Sequence, residues 1–186
     1  FPDQLAELLG YLDGTLPADH PFARLAALPG GPERPAVWLL GSSHQSAIWA
    51  GQLGLPYAFA DFINAEGAEI AALYRRHFKP SARVEAPEVA VSVWTICADS
   101  DEEAVALAAS ARMAMSMLRQ GRLIAVPPVE KALRYFESRG PAGASGRRAV
   151  LGSPETVRRG VEQIAGEYGA QEVIAVTITF DHAARR

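Results

Sequence analysis

Apolar residues along this chain alternate between short continuous runs and longer stretches with helical spacing. The continuous runs predict four strands, at residues 36–40, 57–60, 89–98 and 173–180. Helical spacing predicts a helix before the first strand and one after each strand. Two further helices are predicted between the third and fourth strands, a short one at 129–137 and one that begins at Pro154 and ends at Gly169. This alternation indicates an α/β fold with parallel strands and right-handed crossovers. Four such units form either an open sheet or half of an eight-unit barrel, and the pattern alone favours neither.

Residues 37–60 form the best-specified unit, because strand, turn, helix and second strand follow one another with almost no spare residues. Gly54 suits the left-handed conformation that ends a helix, and Pro56 prevents the helix from continuing. The turn at 41–44, Gly-Ser-Ser-His, leads directly into the helix. Backbone N–H groups and the positive end of the helix dipole converge at such a turn, and together they favour a bound phosphate.

The candidate anion site therefore consists of five consecutive residues, Gly41, Ser42, Ser43, His44 and Gln45. Ser43 is expected to cap the helix while its hydroxyl and the N–H groups of residues 43–45 face the phosphate, and Gly41 would permit close approach. The turn lacks the lysine of a P-loop and the third glycine of a dinucleotide-binding fingerprint, so neither motif is present. The plain alternative is a solvated helix cap without a ligand.

Composition and charge exclude several classes of function. A net charge of −3 gives no general attraction to nucleic acid or to anionic membranes. No apolar run approaches the roughly 18 residues that span a bilayer, and no signal-peptide pattern is present, so we expect a cytoplasmic protein without nucleic-acid or membrane partners. The histidines show no metal-ligand spacing and no catalytic triad matches a local signature. We therefore assign neither a metal site nor a catalytic residue.

Several single residues invite interpretation. The lone cysteine, Cys97, lies in an apolar run and is expected to be a buried thiol. Asp61, at the end of the second strand, is left open as a site acid, and Trp94 is either a core residue or a stacking surface. Ser100 and Glu103 form the pattern of a capping box for the helix that follows the third strand.

The 186 residues are expected to form one domain with an irregular insertion at 121–152. A stretch of that length with little regular structure is usually functional or disordered. The chain begins at Phe1 within a helical pattern and stops at Arg186 as another helix begins, so both ends are expected to be cut.

Five segments together resemble one family, the bacterial luciferase-like, flavin-dependent monooxygenases, in particular single-chain members of the alkanal-monooxygenase type. The matching segments, at 38–60, 78–82, 96–104, 151–165 and 181–185, are WLLGSSHQSAIWAGQLGLPYAFA, FKPSA, ICADSDEEA, LGSPETVRRGVEQIA and DHAAR. They span nearly the whole chain in order, which is far more specific than one glycine-serine turn.

The resemblance implies a TIM-type (β/α)8 barrel, of which this chain is expected to supply about the second half, strands five to eight. It implies reduced FMN as cofactor, which a separate flavin reductase can supply, with O2 as oxidant and a small organic molecule as substrate. Residues 41–45 match the family's flavin-phosphate site, with Ser43 carried over most directly. Residues 121–152 match the lid over the substrate, and we expect a homodimer.

Two departures from the family pattern keep alternatives open. Strands one to four are absent, and Asp61-Phe62 stands where relatives often have a histidine, so these 186 residues alone are not expected to catalyse the reaction. One alternative is a non-catalytic FMN-binding half-barrel, or a remnant that dimerises. The other is a half-barrel enzyme that binds a sugar phosphate through the same turn.

Overall fold

The structure is a computed structural model that describes residues 1–25, 35–64, 66–138 and 148–185. The chain divides into two compact units, Phe1–Val37 and Trp38–Arg186. None of the described helices has the length and hydropathy needed to cross a membrane.

The described part of the first unit contains the predicted N-terminal helix, α1 (Pro2–Asp13). Proline suits the first helical position, because a backbone N–H at that position has no hydrogen-bond partner within the helix and nothing is lost by its absence. The helix ends at Gly14, whose φ of 67° is the left-handed conformation that glycine adopts without strain. Further along, the imidazole of His20 lies 3.0 Å from the carboxylate of Glu7.

The described part of the second unit alternates strands and helices, as the apolar pattern predicts. Its strands are β1 (Leu39–Gly41), β2 (Tyr57–Ala60), β3 (Val89–Cys97), β4 (Ala149–Gly152) and β5 (Glu172–Val176). Its helices are α2 (His44–Gln52), α3 (Gly67–His77), α4 (Asp101–Arg119), α5 (Val129–Glu137) and α6 (Pro154–Tyr168). A 3-10 turn, Ala183–Arg185, lies where the sequence predicts the beginning of a final helix.

All strand pairs in the sheet are parallel, which confirms the predicted α/β class. Among the described strands, β1 pairs only with β2, whereas β3 pairs with three neighbours. Residues 89–92 of β3 pair with β2, 90–94 with β5 and 94–97 with β4. Because β2 and β5 share the residues at 90–92, they lie along opposite edges of β3.

The observed strands differ from the prediction chiefly in two boundaries and in one additional strand. The first strand begins at Leu39 rather than at residue 36, and the last ends at Val176 rather than at residue 180. Just beyond β5, the Thr177 hydroxyl donates to the carbonyl of Thr95 at 2.8 Å. A side-chain hydrogen bond therefore replaces the backbone pairing of β5 with β3 at this point. Strand β4 was not predicted, because four residues carry no periodic signal and become a strand only by pairing with β3.

The end of β3 also differs from the prediction. Cys97 is exposed rather than buried. It is the last residue of the strand, and its partner in the register is Gly152, which has no side chain to cover it. The expected capping box is shifted by one residue, since Ser100 Oγ accepts from the N–H of Glu103 at 3.1 Å but the Glu103 carboxylate accepts from Asp99 at 3.2 Å.

The two faces of the sheet have different surroundings. Tyr57 and Phe59 face the helices, with ring centroids 5.4 Å from Tyr74 and 5.5 Å from Tyr168. The intervening alanines of β2 face the other way, because side chains alternate along a strand. Ala58 is aligned with Leu40 on β1, and Leu40 is 62% exposed. The face opposite the helices is therefore open at β1.

The close packing of α2 against α3 depends on a glycine, and we predict that Gly51→Ala destabilises the protein. A Cβ at Gly51 would lie 2.8 Å from the carbonyl oxygen of Tyr74, which is backbone and cannot swing aside. We expect a loss of about 1 to 3 kcal/mol in the free energy of unfolding, measured by urea titration.

The matched control is Gly166→Ala in α6, where a Cβ would meet no atom within 4 Å. There the better helix propensity of alanine should leave stability unchanged or raise it by up to about 1 kcal/mol. Equal effects of the two substitutions would contradict the packing argument.

Candidate functional site

The turn between β1 and α2 is closed by a capping box. Ser43 has extended backbone angles, φ −124° and ψ 157°, and its Oγ accepts from the N–H of Ser46 at 3.2 Å. In return, Ser46 Oγ accepts from the N–H of Ser43 at 3.3 Å. The predicted role of Ser43 as helix cap is confirmed.

Two residues outside the candidate set shape this turn. Ser46 Oγ lies 2.9 Å from the hydroxyl oxygen of Tyr57, which is fully buried at the start of β2. A Cβ at Gly41 would overlap Ser46 Oγ, so the missing side chain of Gly41 makes room for that serine. The Ser43–Ser46 spacing is a sequence signal for this contact, whereas nothing in the sequence links Tyr57 to the turn.

The outward side of the turn presents hydrogen-bond donors that an anion can use. His44 and Gln45 occupy the first two positions of α2, where backbone N–H groups have no partner within the helix. The side chains of Ser43, His44 and Gln45 are exposed. The carbonyl of Ser42 accepts from Asn64 Nδ2 at 3.0 Å, which ties the turn to the segment after β2.

A second polar cluster lies at the end of β2. The carboxylate of Asp61 is 1% exposed, and its Oδ1 accepts from the Tyr168 hydroxyl at 2.6 Å and from Arg148 Nη2 at 2.8 Å. Arg148 also pairs with Glu167. Among the described residues, neither Asp61 Oδ2 nor Arg148 Nε has a hydrogen-bond partner. Burial raises the pKa of Tyr168 and its bond to Asp61 raises it further, so the phenol remains a donor.

This cluster stabilises the fold. It lies on the helix side of the sheet, opposite the open face. Asp61 follows Tyr57 and Phe59 at alternate positions, so it faces the helices, as its contact with Tyr168 requires. It joins the end of β2 to the residue before β4 and to the end of α6.

The other acids near the strand ends belong to helix starts. Asp101 accepts from the N–H of Ser153 at 2.6 Å and from the hydroxyl of Thr156 at 3.2 Å. These bonds, led by the one from the Ser153 backbone, lower the pKa of Asp101. No cluster of three or more potential metal ligands occurs among the residues that the structure describes.

Aromatic and apolar surfaces lie on other parts of the unit. Trp94 is half-buried and stacks on Phe62, with ring centroids 6.4 Å apart and an interplanar angle of 22°. By strand alternation Trp94 shares the face of Ala90, opposite the helices. A cleft of about 470 Å³ lies between α4, the first part of the predicted insertion and Phe180. Its lining is largely apolar and includes Met113, Met117, Ile124 and Pro127, with Arg122 and Lys131 beside them.

Comparison with known proteins identifies the family. The sequence profile described as luciferase-like monooxygenase matches residues 7–172, most of the chain. The chain belongs to the luciferase-like monooxygenase family. Its relatives in this family include the luciferase-like monooxygenase of Escherichia coli K12, 38% identical over 191 residues, which cover all of this chain and 55% of that protein.

Further relatives come from Bacillus subtilis. YwcH is 36% identical over 185 residues, covering 96% of this chain and 55% of YwcH. The N-acetyl-S-alkylcysteine monooxygenase is 28% identical over 186 residues, which cover 95% of this chain and 54% of that protein. The chain thus spans about half the length of the curated relatives it matches.

Solved structures in this comparison share the fold. The crystal structure of apo-MsnO8 matches with a TM-score of 0.85 and 34% identity, over 99% of this chain and 56% of that one. The oxygenating constituent of 3,6-diketocamphane monooxygenase from Pseudomonas putida, in complex with FMN, matches with a TM-score of 0.56. At 18% identity, over 91% of this chain and 50% of that one, this second likeness shows the fold alone.

For the brace at the end of β2, we predict that Asp61→Asn destabilises the protein by about 2 kcal/mol or more, because it leaves the half-buried Arg148 guanidinium without its buried counter-charge. Urea unfolding measures the loss. Glu167→Gln is the matched control, since it removes the more exposed partner of the same guanidinium and should cost at most about 1 kcal/mol. A larger loss in the control would contradict this account of the brace.

Proposed function

We propose that this chain belongs to a flavin-dependent monooxygenase that uses reduced FMN and O2 to oxidise a small organic substrate. Family membership supports monooxygenase chemistry in general. The single observation that carries the flavin assignment is the turn at 41–45, which presents a serine hydroxyl and two free backbone N–H groups at the start of a helix.

The donor set of this turn fits the phosphate of FMN. In the proposal, the Ser43 hydroxyl and the N–H groups of His44 and Gln45 bind the phosphate oxygens, while Ser42 and Gly41 shape the approach. The helix dipole adds a favourable interaction with a dianion. The N–H of Ser43 contributes less than the sequence suggests, because it is already bonded to Ser46 Oγ at 3.3 Å.

The barrel placement is part of the same proposal. We infer that this chain supplies about the second half of a (β/α)8 barrel, with the face of Leu40, Ala58 and Trp94 directed to the interior. The likeness to apo-MsnO8 over 56% of that chain supports this inference. In a barrel of this kind ligands bind at the carboxyl ends of the strands, which is where the turn after β1 lies.

Bound reduced flavin supplies the chemistry, which is the activation of O2 and transfer of one oxygen atom to the substrate. The residues of this chain hold and orient the cofactor. The stacked pair of Phe62 and Trp94, on the interior face in this proposal, would exclude water from the space above the strand ends.

Partners follow from the same chemistry. Each turnover consumes reduced flavin, so we propose that a separate flavin reductase supplies it. We further propose a cytoplasmic homodimer in which residues 121–152 act as the lid, although 139–147 lie outside the described residues. The largely apolar cleft that residues 122–131 help to line supports a role near an organic substrate. A non-catalytic FMN-binding half-barrel is the second candidate, because the donors of the turn at 41–45 would hold FMN in such a protein as well.

For the phosphate site, we predict that Ser43→Ala weakens FMN binding by about 1 to 2 kcal/mol, the scale of a hydrogen bond to a charged group. Riboflavin, which lacks the phosphate, should bind the mutant as tightly as it binds the wild type. Fluorescence titration with both flavins measures the difference.

The matched control is Ser100→Ala, which removes the same kind of cap from α4. It should lower stability by about 1 kcal/mol without changing the affinity for either flavin. If Ser43→Ala binds FMN as the wild type does, the phosphate site lies elsewhere. Oxygen uptake with NAD(P)H and a flavin reductase then separates the monooxygenase from the non-catalytic FMN-binding protein.

A further inference from the structure

We propose that Tyr57 is a positioning residue for the phosphate turn. Its hydroxyl donates a hydrogen bond to Ser46 Oγ, and the hydroxyl proton of Ser43 is then available to the ligand. This inference rests on the proposed function, because it concerns the same turn. Tyr57 lies on the neighbouring strand and has no direct contact with the exposed side of the turn.

The environment of Tyr57 makes its hydroxyl a reliable donor. The side chain is fully buried, and its ring packs against Tyr74 at 5.4 Å. Burial raises the pKa of Tyr57 more than its hydrogen bond to Ser46 lowers it. The phenol therefore keeps its proton at neutral pH, and Ser46 Oγ, at 2.9 Å, is a partner within reach.

The direction of that bond follows from the capacity of Ser46 Oγ. A serine hydroxyl has one proton to donate and two lone pairs that accept. The shortest contact of Ser46 Oγ is with the carbonyl oxygen of Ser43 at 2.8 Å, and a carbonyl can only accept, so the Ser46 proton points there. Tyr57 must then be the donor in its bond to Ser46, and it fills one lone pair.

The second lone pair of Ser46 is filled by the backbone N–H of Ser43 at 3.3 Å. The Ser43 hydroxyl can also donate to Ser46 Oγ, at 3.2 Å, and so competes with these two donors. Because the N–H of Ser43 and the hydroxyl of Tyr57 compete for the two lone pairs of Ser46 Oγ, the Ser43 proton is held there only weakly and can turn toward the exposed side. A phosphate oxygen bound at that side can accept it.

Without the Tyr57 hydroxyl, one lone pair of Ser46 becomes free. The Ser43 proton can then bond to Ser46 Oγ, and a phosphate would have to break that bond in order to bind. The network therefore links a buried side chain on β2 to the affinity of the turn for anions.

The test compares Tyr57→Phe with Tyr74→Phe in titrations with FMN and with riboflavin. Tyr74 is a matched control: it is equally buried, and its hydroxyl donates to the carbonyl of Leu55 at 3.0 Å without contacting the turn. Tyr57→Phe should bind FMN roughly three- to tenfold more weakly, the effect of one neutral hydrogen bond, and riboflavin as the wild type does. Tyr74→Phe should change neither affinity.

A double variant completes the test. Ser43→Ala removes the hydroxyl proton of Ser43, so adding Tyr57→Phe to this variant should cause no further loss of FMN affinity. Wild-type FMN affinity in Tyr57→Phe would overturn the inference, and so would equal weakening of FMN and riboflavin, which indicates general damage to the fold. If Ser43→Ala weakens FMN binding and Tyr57→Phe does not, the phosphate site stands and only the positioning role fails.

Discussion

Parallel pairing with β3 is the interaction on which the rest of the structure depends. Three of the other four described strands pair with β3, and β1 is joined to it through β2. The register aligns Gly41 with Phe59 and Phe59 with Val91, so the ends of β1 and β2 lie at the same level. This alignment brings Asn64, just after β2, within 3.0 Å of the carbonyl of Ser42.

Because side chains alternate along a strand, the polar groups at the carboxyl ends of β1 and β2 lie on different sides and have different roles. On the helix side, Asp61 is buried with Arg148 and Tyr168, and a buried ion pair of this kind holds the elements together but is costly to break. The turn at 41–45 keeps its donors exposed because Ser43 and Ser46 satisfy each other behind them. Structural charges are thus withdrawn from the surface where we propose that the flavin phosphate binds.

The unit at 37–60 could be predicted because its signals are local. Gly54 adopts a φ of 60° after α2, Pro56 follows it, and Ser43 caps the helix, all as the residue types require. The family could be identified for a related reason, since its segments keep their order and separations along the whole chain.

The remaining features depend on contacts between residues that are distant in sequence. Strand β4 exists only through its pairing with β3, and Asp61 meets Arg148 across 87 positions. Cys97 is exposed because Gly152 lies beside it, which no pattern around the cysteine reveals. The bond from Tyr57 to Ser46 depends on the register of β1 with β2 and on the absence of a side chain at Gly41.

A crystal structure of the protein with bound FMN tests most directly whether this turn holds the phosphate of FMN. We predict phosphate oxygens within about 3.2 Å of Ser43 Oγ and of the N–H groups of His44 and Gln45, with Tyr57 still bonded to Ser46. A phosphate held away from the turn, with Ser43 Oγ bonded only to Ser46, would contradict it.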